Sequence, residues 1–106
     1  MDKAALVAKV KSGEVISGLD LSNADLAGAD LGGGIFEKVR FSNADLTDAS
    51  LKECVFSSCD LSGVRGTGVQ LRHVTFQGCV MAGADLRKVA LTADSDFFAN
   101  LEHAVS

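Results

Sequence analysis

The sequence predicts an all-β solenoid, a square β-helix with a short capping α-helix at its N-terminal end. Three observations predict it. Large apolar residues recur at every fifth position, small ones recur two positions earlier, and the columns formed by stepping twenty residues keep their own character. A period of five fits neither an amphipathic helix nor a simple strand. It fits a chain that runs straight for a few residues, turns a corner and repeats, so that four corners close one coil.

The first observation is a matter of counting, and repeats are sought before any local assignment because missing one mis-states the whole fold. From Ile16 the large positions are Ile16, Leu21, Leu26, Leu31, Phe36, Phe41, Leu46, Leu51, Phe56, Leu61, Gly66, Leu71, Phe76, Met81, Leu86, Leu91, Asp96 and Leu101. Sixteen of the eighteen are Leu, Ile, Phe or Met. The chain holds 22 such residues in 106, so an unphased distribution would put only about four of them there. The second register runs through Leu19, Ala24, Ala29, Gly34, Val39, Ala44, Ala49, Cys54, Cys59, Val64, Val69, Val74, Cys79, Ala84, Val89 and Ala99, with Glu14 and Asp94 its only polar members. Between the two lies a position that is often acidic or amide, as in Ala24-Asp25-Leu26 and Ala84-Asp85-Leu86.

The third observation fixes the size of the coil. One column reads Ile16, Phe36, Phe56, Phe76, a second Leu31, Leu51, Leu71, Leu91, and a third Leu21, Phe41, Leu61, Met81, Leu101. Residues in a column should stack at the ordinary strand spacing of about 4.8 Å. Confining Phe largely to one wall is what ring stacking along the solenoid axis favours.

Residues 1–13 are expected to form the capping helix. Asp2 suits the N-cap, Leu6 and Val10 share one face, and Gly13 is a stop signal. Its role would be to cover the open end of the first coil, since solenoids need caps. Residues 14–106 carry the repeats. Gly66 interrupts the column Leu26, Leu46, Leu86, and a tolerated defect with a local bend is expected there. Asp94 and Asp96 interrupt again, which predicts a one-residue bulge near 92–94 that lets Phe97 extend the Phe column. The last quintet stops at its centre, which leaves two expectations. Either the coil continues in a longer chain, or it packs against a partner, which a homodimer would supply.

The quintets of the form Ala-(Asp/Asn)-Leu-X-X, as in Ala24-Asp25-Leu26, Ala84-Asp85-Leu86 and Ala99-Asn100-Leu101, resemble the pentapeptide-repeat family over roughly residues 14–106. That resemblance implies a right-handed quadrilateral β-helix, here of about four and a half coils. It also implies a non-enzymatic module of bacterial type that works as a structural scaffold or by protein–protein interaction.

Composition narrows the function further. There is no Trp, Tyr or Pro, and the net charge is −4, which argues against direct binding of nucleic acid. Neither a signal peptide nor a membrane span is expected, and a cytoplasmic location is the default. Three cysteines without C-x-x-C spacing point to a reducing compartment. Cys59 and Cys79 should stack, a spacing that permits a disulfide but fits reduced core packing. His73 and His103 fall on different walls, and no catalytic, metal or cofactor site is expected. The columns Asp20, Arg40, Asp60 and Asp45, Arg65, Asp85 alternate in sign and read as a self-compensating ladder.

The candidate interaction stripe is the outward column Val15, Ile35, Val55, Thr75, one residue before the Phe wall. It suggests a docking surface for a protein partner of unknown identity. An alternative comes from the resemblance, because some pentapeptide-repeat proteins mimic DNA and bind topoisomerase (gyrase). Arg40 and Arg65 interrupt the acidic columns that such mimicry needs. The stretch from Leu6 to Leu26 also looks like the openings of repeat segments in bacterial secretion-associated proteins and effectors. By that resemblance the chain would be a fragment of a larger protein.

Overall fold

The computed structural model describes residues 2–85 and the backbone of residues 101–102. Helix α1 spans Lys3–Lys11. Asp2 caps it with an extended backbone, its carboxylate accepting the Ala5 N–H at 2.8 Å. The helix stops at Ser12, after which Gly13 turns left-handed with φ +82° and donates to the Val10 carbonyl at 3.0 Å. Leu6 and Val10, one turn apart, are buried in the same core as the coils. Two lysines tie the helix to the first coil: Lys3 Nζ donates to the Ala27 carbonyl at 2.6 Å, and Lys11 Nζ lies 2.9 Å from Asp30 Oδ2.

The coils stack in parallel. Strands β1 (Val15–Ser17), β2 (Ile35–Glu37), β3 (Val55–Ser57) and β4 (Thr75–Gln77) form one sheet in sequence order, with Ile16, Phe36, Phe56 and Phe76 in direct register. The other three walls are ladders of single parallel bridges: Asp20–Arg40–Asp60–Val80, Asp25–Asp45–Arg65–Asp85 and Asp30–Ser50–Gln70. Every one of these pairs is offset by twenty residues, which is the coil length the sequence predicts.

The strands are short because a corner follows every fifth residue. Ten corners among the described residues close with an N–H donating to the carbonyl three residues back, such as Ala24 to Leu21 at 3.1 Å and Ala49 to Leu46 at 3.0 Å. The residue before each of these donors is left-handed. From Gly13 to Gly83 all fifteen positions at a spacing of five have positive φ, and eight of them are glycine. The other seven, Asn23, Lys38, Asn43, Asp48, Glu53, Ser58 and His73, hold φ between 54° and 62°.

The large ladder Ile16, Leu21, Leu26, Leu31, Phe36, Phe41, Leu46, Leu51, Phe56, Leu61, Leu71, Phe76 and Met81 is buried, and so are the small residues between them from Ala29 to Ala84. Phe36, Phe56 and Phe76 stack with centroids 5.0 and 5.1 Å apart and planes within 14°. Phe41, on the adjoining wall, meets Phe36 edge-on at 5.3 Å. Leu86, Leu91, Phe97 and the expected bulge near 92–94 lie outside the described residues.

One expectation holds in part and one needs correction. Gly66 is tolerated, as expected, and the register runs through it unshifted. Its N–H donates to the Asp85 carbonyl at 2.7 Å, its carbonyl accepts from Val69, and Arg65 keeps the twenty-residue offset on both sides. The ladder is made by the backbone, so the loss of one side chain leaves it intact. Leu101 was expected above Met81. Instead strand β6 (Leu101–Glu102) pairs with β5 (Cys79–Val80), and Leu101 faces Cys79. That turn takes 22 residues, two more than the others, and the apolar phase breaks within it at Asp94 and Asp96.

Candidate functional site

Strand geometry determines which side chains the sheet presents. With Ile16, Phe36, Phe56 and Phe76 pointing inward, their neighbours on either side point out. One outward column is Val15, Ile35, Val55, Thr75, aligned by direct pairing of each residue with the next. Val15 is 49% and Ile35 38% exposed, and they are the large hydrophobic residues the surface shows among the described residues. Val55 and Thr75 are half-buried. The companion column is Ser17, Glu37, Ser57, Gln77, so the apolar stripe runs beside a polar one. The alternation of strand residues about Phe36 foretells this second column as well.

The charged columns lie on two other walls. Arg40 sits between Asp20 and Asp60 and helps hold both carboxyls down. Arg65 approaches Asp45 at 3.7 Å and pairs on its other side with Asp85. The second column, however, begins with Asp25 beside Asp45. The alternation read from three residues is therefore broken by a like-charged neighbour at the helix end. The Asp side chains also fold back on their own corners. Asp20, Asp25, Asp30, Asp45 and Asp60 each accept the backbone N–H two residues on, at 2.9–3.2 Å.

These bonds favour the ionised carboxylates. The Ser22 hydroxyl leads in lowering Asp20, Lys11 in lowering Asp30, the Thr47 hydroxyl in lowering Asp45 and the Ser62 hydroxyl in lowering Asp60. Each backbone bond adds to the effect. The row of aspartates that invites a reading as ligands is thus engaged in building corners. Among the described residues no group of three His, Cys, Asp or Glu side chains is placed to hold a metal ion. His73 occupies a left-handed corner, and His103 lies outside the described residues.

All three cysteines are reduced and buried. Cys54 Sγ donates to the Leu31 carbonyl at 2.9 Å, and burial pushes its thiol up to about 12. The Cys59 thiol is pushed up by its hydrogen bond with Cys79 and then by burial. No helix among the described residues is long and apolar enough to cross a membrane.

The model of the pentapeptide repeats matches residues 16–43, 24–65 and 67–92, in eight copies. This is a pentapeptide-repeat protein. The gap between matched segments falls on Gly66, the position where the wall lacks its large side chain. In its fold this pentapeptide-repeat protein is similar to trypsin-treated QnrB1, a plasmid-mediated fluoroquinolone resistance protein. The TM-score is 0.64 at 24% identity, over 74% of this chain and 49% of that one. The chain thus spans about half the length of QnrB1. A pentapeptide repeat protein from the thylakoid lumen of Arabidopsis thaliana is 22% identical over 84% of this chain and 66% of its own, with a TM-score of 0.46. HetL, a pentapeptide repeat protein of the cyanobacterium Nostoc involved in heterocyst differentiation regulation, is 25% identical over 72% of this chain and 38% of its own, with a TM-score of 0.40. No curated protein matches the sequence.

Proposed function

We propose that this pentapeptide-repeat protein is a non-enzymatic scaffold that docks a protein partner on the wall outside its Phe column. The observation that carries the reading is the aligned stripe Val15, Ile35, Val55, Thr75, three hydrocarbon side chains and one hydroxyl in unbroken register. A flat row of β-branched residues at strand spacing offers apolar contact without loop ordering, so association on it costs little conformational entropy. By its resemblance at residues 6–26 we read the chain as a module of a larger, secretion-associated assembly.

The test compares the wild type with Ile35→Glu and Val55→Glu. Both side chains point out of the coil, so the variants should keep the parent melting curve. Proteins retained by the wild type and lost by both variants support the stripe, and an unchanged retained set sinks it. The topoisomerase alternative makes a different demand, since Arg40 and Arg65 stand where a DNA mimic carries acids. Inhibition of gyrase supercoiling by the purified chain would restore that reading.

A further inference from the structure

Cys59 and Cys79 occupy the same inward position on successive coils, bracketed by the pairs Ser57–Gln77 and Asp60–Val80. Their sulfurs are held alike. Cys59 Sγ donates to the Phe36 carbonyl at 3.4 Å and Cys79 Sγ to the Phe56 carbonyl at 3.3 Å, each reaching back 23 residues. The two sulfurs are therefore related by one coil repeat, about 5 Å, the spacing at which Phe56 stacks on Phe76. Cys54 is placed differently. Its sulfur faces the Leu31 carbonyl on another corner, and the residues twenty before and after it are Gly34 and Val74.

We propose that Cys59 and Cys79 form a reversible disulfide that staples the third coil to the fourth. Backbone separation across a parallel pair lies within the range a disulfide spans, and a small rotation of both side chains toward each other closes the gap. The staple would sit at a specific join in the rod. Cys79 opens β5, whose pairing with Leu101 takes 22 residues instead of twenty. In a solenoid each coil is held only by its neighbours.

The reaction balances as a thiol–disulfide exchange with a small disulfide such as oxidised glutathione. One cysteine thiolate attacks the reagent, forming a mixed disulfide and releasing one glutathione thiolate. The other cysteine, as thiolate, attacks the mixed disulfide at the protein sulfur and releases the second. Two protons leave the protein, its two sulfurs are oxidised, and the reagent is reduced to two thiols. Burial sets the rate. Cys59 is 1% and Cys79 0% exposed, so the pair reacts when the end coils open and resists opening once joined.

The experiment oxidises the native chain with oxidised glutathione at mildly alkaline pH, alkylates the remaining thiols and maps the peptides by mass spectrometry. The expected product is a Cys59–Cys79 cross-link with Cys54 alkylated, reversed by dithiothreitol. Its melting temperature should lie above that of the reduced chain by on the order of 5–15 °C. Cys54→Ala should give the same cross-link and Cys59→Ala none. If Cys59→Ala does not fold, the wild-type peptide map decides alone. Cross-links through Cys54, a lower melting temperature on oxidation, or three alkylated thiols even when sub-denaturing urea opens the end coils would each overturn the assignment.

Discussion

Gly34→Ala separates packing from pattern more sharply than any other single change. The small register holds Ala at Ala24, Ala29, Ala44, Ala49 and Ala84, so the repeat alone recommends alanine at residue 34. Reducing the freedom of the unfolded chain should then stabilise the protein by about 0.4–1 kcal/mol. The structure opposes this. A methyl group at residue 34 would lie 2.6 and 2.9 Å from the Cε2 and Cζ atoms of Phe36 and 3.0 Å from the Leu31 carbonyl oxygen. Phe36 cannot easily yield, because its ring is stacked on Phe56 and met edge-on by Phe41. Overpacking of this kind costs about 1–3 kcal/mol. The balance is a loss of about 1–2 kcal/mol, or on the order of 5–10 °C in melting temperature for a domain of this size. Urea denaturation followed by circular dichroism measures it. A double-mutant cycle with Phe36→Leu locates the cause, since alanine at residue 34 should be neutral or stabilising once the ring is gone. If Gly34→Ala stabilises the parent, or costs the same with Phe36→Leu, the steric reasoning is wrong.

The remaining predictions concern corners and charges. Gly18 has φ +69° and open space where a Cβ would sit, so Gly18→Val should cost about 1–2 kcal/mol from backbone strain alone. Gly18→Asn should cost less, because Asn23 and Asn43 already adopt that conformation, and chemical denaturation of the two variants tests the order. Arg65→Glu puts a third carboxylate between Asp45, which Arg65 now approaches at 3.7 Å, and Asp85. It should destabilise by roughly 0.5–1 kcal/mol at low ionic strength, with the loss shrinking in about 1 M salt. Asp20, Asp30, Asp45 and Asp60 have folded pKa values held below the ordinary 3.8. Their contribution is therefore present above that value and is lost as pH falls from it through the lower folded values. Melting temperature should be nearly flat from about pH 7 to pH 5 and fall below about pH 4, and a flat profile down to about pH 2 would refute the corner bonds as a source of stability.

The parts of this fold legible in the sequence depend on counting, and the parts that are not depend on contacts. Twenty-residue columns follow from Phe36, Phe56 and Phe76 recurring in phase, and the helix follows from Asp2, the Leu6 and Val10 pair, and Gly13. The left-handed corner at every fifth residue is also written in the chain, in Gly18, Asn23, Gly28 and Gly33. Lys38, Glu53 and His73 obscure it, because residues with those side chains rarely adopt positive φ and only a closed coil holds them there. The need for glycine at residue 34 could not be read, since it depends on where the Phe36 ring lies. Asp25 beside Asp45 could have been read, but only by following that column down to its first coil. The offset of Leu101 depends on how many residues a turn takes, and a phase of five counted along the chain assumes the answer.

A solenoid separates what the fold requires from what it leaves open. Inward columns must fill a narrow core, and the corner column must tolerate positive φ, so neither reports function. Outward positions on the walls are constrained only to extended backbone, for which β-branched side chains are well suited. Thr75 shows that a hydroxyl-bearing residue meets that requirement in the stripe itself, aligned with Val55 on the same face. Threonine at residues 15, 35 and 55 would satisfy the strand equally while exposing less hydrocarbon. The wall carries valine and isoleucine there, with Val15 and Ile35 exposed at the helix end. That excess of apolar surface over what the strand needs is what makes the wall outside the Phe column the place to look for a partner.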